Sequence, residues 1–434
     1  METLEYSLDE EEKRLNLDKK WPSQVKIIIG LLIGFIILLI IGFIIYAIKK
    51  ESDIDDLKDK NNRNKDNNEN NENNKNINTN YSIKYANLSY TDQKIINSFK
   101  KTGSNYNETM GEINSGEDYN KTDRNIYDLY IPYTSPEKKN DYNYLILLIH
   151  GGGWKDGSKE EMEFINELLL LPKGYISASM SYTLINEEYK NFKANIFRIL
   201  DEITTCIESI IKILAKEGFN IGKLEMAIGG ASAGGHLSLL YAYSMKNIPL
   251  PLKYIINIVG PVTLDPEHFL KVKEEPLNSI DLQDIEKAKS DGLIERLYTT
   301  DIYLIEYMNM FNGLIFNKEE LNSMLENNRL NKNNEKYKKM FNYIVNGYPI
   351  HFINSDSIPA LCVYGGKDEA IGIGHFSYLK SINREYAQKL YILYEKNALH
   401  NVFKLDDKPN IDLIGKLENE IDNFSKKYFT SFNK

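Results

Sequence analysis

A serine flanked by the smallest side chains stands at Gly230-Ala231-Ser232-Ala233-Gly234, with Gly235 next. The residues before it, Glu225–Gly230, read as a short strand, and Ala233–Met245 reads as a helix. A strand that turns straight into a helix leaves little room around the turn. A G-x-S-x-G placed there lifts its hydroxyl into the open at a helix N-terminus, where the dipole favours negative charge. Such a hydroxyl suits nucleophilic catalysis. The rival reading is a glycine-rich turn that cradles phosphate. A second cluster, His150-Gly151-Gly152-Gly153-Trp154, follows the apolar run Tyr142–Ile149. Three glycines let the backbone approach a ligand closely and can aim N–H groups at a developing oxyanion. Its rival reading is a flexible turn.

Together, in the order loop then elbow, the two motifs resemble those of the α/β-hydrolase esterase/lipase family that carries an HGGG oxyanion loop, the hormone-sensitive-lipase-like and carboxylesterase branch. The resemblance covers roughly Asn125 to the C-terminus. It implies Ser232 as nucleophile, the amides of Gly152, Gly153 and Ala233 as an oxyanion hole, and a structural role for His150. It also implies the chain order serine, acid, histidine, with the acid after a late strand. Gly365-Gly366-Lys367-Asp368, after Ile358–Tyr364, resembles the family's Gly-x-x-Asp turn, so Asp368 is the candidate acid. Glu369 beside it and Asp265 further back are the alternatives, and an ordinary Asx-turn is the structural reading of Asp368. Of six histidines, His150 and His236 belong to the two motifs, and His268 and His351 to an irregular insert. His375 is too near Asp368 in sequence to reach the next loop, which leaves His400, after the strand Leu390–Tyr394. The family often has glycine before this histidine; Leu399 stands here.

The reaction so implied is acyl transfer to Ser232 on small to medium carboxylic esters, with no metal or organic cofactor. The same triad serves amidases, arylformamidases and peptidases. A hydrolase-fold binding protein without turnover is a third class, which the presence of all three side chains disfavours. Cys206 and Cys362 read as small buried hydrophobes.

The elements that must position these residues alternate between strand and helix, the mark of βαβ units and a mainly parallel sheet flanked by helices. Asn125–Pro132, Tyr142–Ile149, Tyr175–Tyr182 and Leu252–Val259 complete the strands. Helices are expected over Lys159–Leu171, Asn191–Lys216 and Asp412–Tyr428. The stretch of about 263–355 breaks the alternation and reads as a largely helical cap insertion, where Tyr303, Tyr307 and Phe311 line a pocket or simply pack. Residues 85–434 are therefore expected to form the hydrolase domain, with 85–124 a possible addition to the cap.

The chain has 434 residues and a formal net charge of −9, which argues against a nucleic-acid binder. Two cysteines exclude a disulfide scaffold. Residues 1–26 form a polar tail. Ile27–Ile48 carries no charge and is closed by Lys26 and Lys49-Lys50. Its 22 residues would span about 33 Å as a helix, which matches a hydrocarbon core of about 30 Å. A single transmembrane helix in the lipid bilayer is expected, longer than the apolar region of a cleaved leader. Basic residues balance at its two ends, so orientation rests on a weaker preference for a catalytic domain on the extracytoplasmic side. The sequons at Asn80, Asn87, Asn107 and Asn120 agree with that side. Residues 49–84 are expected to be a disordered linker; twelve of the twenty residues 61–80 are Asn, too polar to offset chain entropy.

Overall fold

The computed structural model describes residues 82–89, 124–132, 143–185, 188–189, 192–273, 282–382, 384–405 and 408–430. The expected tail, the apolar span 27–48 and the segment 90–123 lie outside the described residues, as does the linker up to residue 81. Among the described residues no helix is long and apolar enough to cross a membrane.

Eight strands make one sheet: β1 Ser82–Ser89, β2 Ile126–Pro132, β3 Tyr144–Ile149, β4 Ile176–Ser181, β5 Glu225–Ala231, β6 Leu252–Ile258, β7 Ala360–Gly365 and β8 Leu390–Glu395. Their order is β1-β2-β4-β3-β5-β6-β7-β8. β2 runs antiparallel to β1 and β4, and every other pairing is parallel. The central strand β3 is a continuous apolar run because both its faces are covered, whereas β4 (ISASMS) buries three serines among its apolar residues. In β3, Leu145, Leu147 and Ile149 join one core while Ile146 and Leu148 join the other. Helices α1 (Ile196–Lys216) and α2 (Ala233–Ser244) cover the first face; Leu413, Leu417, Ile421 and Phe424 of the closing helix Ile411–Tyr428 cover the second. Cys206 and Cys362 are free and buried, and burial pushes the Cys362 thiol up to about 12.

Four expectations need correction. The expected linker runs three residues too far, because β1 already starts at Ser82 and pairs with β2 through a register shift between Tyr85 and Leu88. The helix expected over 159–171 is a chain of tighter and wider turns, with 3₁₀ geometry at Lys159–Met162 and Leu171–Lys173 and π geometry at Ile165–Leu170. The buried Asn166 side chain takes the Met162 carbonyl, the acceptor that a regular α-turn would leave to its own amide. α1 begins at Ile196 rather than Asn191, because the Asn195 carboxamide accepts the Arg198 amide and caps the helix there. Finally, the insert between β6 and β7 mixes helices with short hairpins, Leu270–Val272 with Ile294–Arg296 and Leu325–Glu326 with Arg329–Leu330. Its helices include Leu282–Ser290, α3 (Ile302–Phe311) and α4 (Glu335–Ile344).

Candidate active site

β5 runs into α2 with a single residue between them, and that residue is Ser232. Its backbone sits at φ 52°, ψ −117°, a conformation that costs an L-residue on the order of 1–3 kcal/mol. The surroundings hold it there. The Ser232 amide donates to the Ile258 carbonyl of β6 at 2.7 Å, and the Ser232 carbonyl accepts the His236 amide at 3.0 Å. The turn admits no bulk: a Cβ on Gly234 would stand 2.0 Å from the Ile149 carbonyl oxygen. That contact also explains why loop and elbow are neighbours, since the start of α2 rests on the end of β3. A Cβ on Gly151 would lie 3.4 Å from the Ser232 Cβ.

The loop after β3 curls at Gly152 and Gly153, with φ of +89° and +59°, and closes when Lys155 N–H donates to the Gly152 carbonyl at 3.2 Å. Its base is fixed from behind. The buried His150 ring stacks on Tyr182 at 4.2 Å, and Tyr182 Oη donates to the Gly151 carbonyl at 3.0 Å. Gly151 N–H donates to Glu161 Oε2 at 3.3 Å. Ala233 opens α2, so its amide is among the first-turn donors without an intrahelical acceptor.

The acid and base arrive from the ends of β7 and β8, which pair in parallel. The loops beyond them stay in register: Gly366 N–H donates to the Glu395 carbonyl at 2.9 Å and Lys367 N–H to the Ala398 carbonyl at 3.0 Å. Asp368 therefore emerges beside His400. Asp368 Oδ1 accepts the amides of Ala370 and Ile371 at 2.8 and 2.9 Å, and Asp368 Oδ2 lies 2.9 Å from His400 Nδ1. His400 Nε2 lies 2.9 Å from Ser232 Oγ. The carboxylate is buried at 1% exposure, whereas the imidazole is 34% exposed.

The alternatives lie elsewhere. Asp265 caps the Glu267 amide and pairs with Lys332 at 3.1 Å, and Glu369 is exposed. His236 is buried and bonds the Gly347 carbonyl at 2.9 Å. His375 is buried, with Nδ1 accepting the Val262 amide at 3.3 Å. His268 stacks on Tyr378 at 3.7 Å, and His351 lies in the short 3₁₀ turn Pro349–Phe352.

Of the three insert aromatics, Phe311 packs inside against Trp154 at 4.6 Å, Tyr303 is exposed, and Tyr307 lies against the glycine loop. Tyr298 carries no motif and was not singled out by sequence. Its hydroxyl donates to the Ala370 carbonyl at 2.7 Å, one peptide from the amide that Asp368 accepts, so it pins the insert to the acid turn.

The fold is that of an α/β-hydrolase of the serine esterase class. The BD-FAE family, an α/β-hydrolase esterase domain, matches residues 127–381, well over half of the chain, and the chain belongs to that family. Among solved structures it is similar to esterase B from Lactobacillus Rhamnosis (HN001), with 12% identity, 80% of this chain and 87% of that one covered, and a TM-score of 0.47. A truncated carbohydrate esterase from gut microbiota is 14% identical over 82% of this chain and 98% of its own, with a TM-score of 0.47. Esterase 2 of Thermogutta terrifontis is 15% identical over 73% and 94%, with a TM-score of 0.46. Two relatives match a stretch of 149 residues: the non-reducing polyketide synthases atr1 of Stereocaulon alpinum, 26% identical, and ascC of Acremonium egyptiacum, 25% identical. That stretch is 34% of this chain, and it spans only 6% and 7% of those much longer proteins.

Proposed function

We propose that the chain is a membrane-tethered esterase that cleaves small to medium carboxylic esters, with Ser232 as nucleophile, His400 as base and Asp368 as its orienting acid. One observation carries the reading: an unbroken line of contacts at 2.9 Å each, from Ser232 Oγ to His400 Nε2 and from His400 Nδ1 to Asp368 Oδ2. With Nδ1–H donating to Asp368, Nε2 is free to accept the serine proton. Ser232 Oγ then attacks the ester carbonyl, and the amides of Gly152, Gly153 and Ala233 receive the oxyanion. Collapse expels the alcohol, which takes the proton from His400. Water, activated by the same imidazole, hydrolyses the acyl-enzyme. The strained serine and the braced glycine loop supply what this reaction needs, donors and nucleophile held before substrate arrives. The insert between β6 and β7 acts as the cap. Residues 27–48 anchor the chain in a bilayer, with the catalytic domain on the extracytoplasmic side.

A fluorophosphonate probe tests the nucleophile. The wild type is expected to label and Ser232→Ala to stay unlabelled; equal labelling of the two removes the assignment. A membrane-impermeant form of the probe, applied to intact cells, is expected to label at the level seen after lysis. Labelling only after lysis reverses the orientation, and activity that washes off membranes in carbonate removes the anchor.

A further inference from the structure

Helix α3 of the insert lies across the glycine loop. The Trp154 ring meets Phe311 edge-on at 4.6 Å and Tyr307 at 5.6 Å. On the face of the Tyr307 ring, Lys155 Nζ stands 5.1 Å from the centroid. Two residues that directly follow Gly153 thus hold this ring in place. Its hydroxyl comes so close to the loop that a Cβ on Gly153 would sit 3.1 Å from Tyr307 Oη. Tyr307 is half-buried, and no described residue forms a hydrogen bond with its hydroxyl.

A phenol braced at its ring, set against an oxyanion-loop glycine and without a hydrogen-bond partner among the described residues, is a preorganised donor. We propose that Tyr307 Oη is a third kind of oxyanion donor, supplied by the insert, that completes the hole built from the amides of Gly152, Gly153 and Ala233. The inference rests on the assignment of Ser232 as nucleophile. As the Oγ–carbon bond forms, the carbonyl π pair moves onto oxygen, and Tyr307 donates its O–H to that oxygen while keeping the proton. When the C=O bond re-forms, the ester C–O bond breaks and the alcohol oxygen takes the proton that His400 drew from Ser232. The tyrosine is unchanged at the end, so its contribution appears only where charge develops on the carbonyl oxygen.

The test compares wild type, Tyr307→Phe and Tyr307→Leu as full-length chains on p-nitrophenyl acetate, with fluorophosphonate inactivation alongside. Tyr307→Phe keeps the ring between Trp154 and Lys155 and removes only the oxygen. It is expected to lower kcat on the order of 10²-fold with KM nearly unchanged, to slow inactivation by a similar factor, and to leave the melting temperature in place. Tyr307→Leu should lose about as much kcat as Tyr307→Phe. A Tyr307→Phe enzyme with wild-type kcat overturns the inference, whether or not Tyr307→Leu is impaired, because the ring then matters for packing alone. A rise in KM at constant kcat overturns it too, since that is ground-state binding. The underlying assignment fails separately: a wild type that neither labels nor turns over, or a Ser232→Ala variant that still labels, removes both readings.

Discussion

Asp368 does two jobs with two oxygens. Oδ1 closes the turn on the Ala370 and Ile371 amides, and Oδ2 faces His400 Nδ1. Asp368→Asn separates them. The asparagine oxygen can still take both amides, so the turn survives, but the NH₂ group now confronts Nδ1. The imidazole must then carry its proton on Nε2, where it cannot accept one from Ser232. We expect kcat to fall on the order of 10³–10⁴-fold with little change in melting temperature. A loss below tenfold would show that the carboxylate is not what orients the ring. The candidates Ser232, Asp368 and His400, whose side chains the structure brings together, came from the sequence in two ways: the elbow excludes bulk, so small residues mark the serine, and the chain order that the family resemblance implies pointed to the other two. Tyr298 could not be found that way, and the sequence offered Tyr307 only as one of three insert aromatics that line a pocket or pack. A tyrosine that works from an insert carries no spacing rule, and its role exists only once α3 and the hairpin are laid over the loops.

At the scale of elements, the central strand β3 was legible because a strand covered on both faces reads as an apolar run, while β4, with three buried serines, was legible from its place in the alternation of strand and helix. What escaped was governed by single polar side chains. Asn166 diverts a helical pattern into π geometry, and Asn195 delays α1 by five residues. β1 is an edge strand interrupted by a register shift, which blurs the alternation that would announce it. Another such polar contact ties α1 to the segment after β4. The fully buried Glu202 accepts Arg198 Nε at 2.8 Å, and from Thr183 it accepts the amide at 2.8 Å and the hydroxyl at 2.5 Å. Removing the carboxylate takes the anion from beside a buried guanidinium and the acceptor from the buried Thr183 amide. Glu202→Ala should therefore destabilise the fold by about 3–5 kcal/mol, read as a lower denaturation midpoint in urea. A cost under about 1 kcal/mol would mean that water or a neighbour replaces the carboxylate.

Across the whole molecule, acid is expected to unfold this protein through its interior histidines. His150 and His236 are buried behind the two motifs, each with one ring nitrogen bonded to a backbone carbonyl and the other without a partner among the described residues. Desolvation pulls both down from 6.5 to about 3. Between those limits the unfolded chain binds protons that the folded chain refuses, so stability rises with pH there. The contribution is complete above about pH 6.5, where both states are neutral, and is lost as pH falls towards 3. Within that window each ring should steepen the loss by roughly 1.4 kcal/mol per pH unit. His236→Gln keeps a donor for the Gly347 carbonyl but cannot titrate. Urea midpoints from pH 7 to 4 should fall less steeply for this variant than for the wild type, by about one ring's share. Parallel slopes would mean that His236 stays uncharged in the unfolded chain as well, or gains a proton in the folded one, and acid lability would then have to come from elsewhere in the fold.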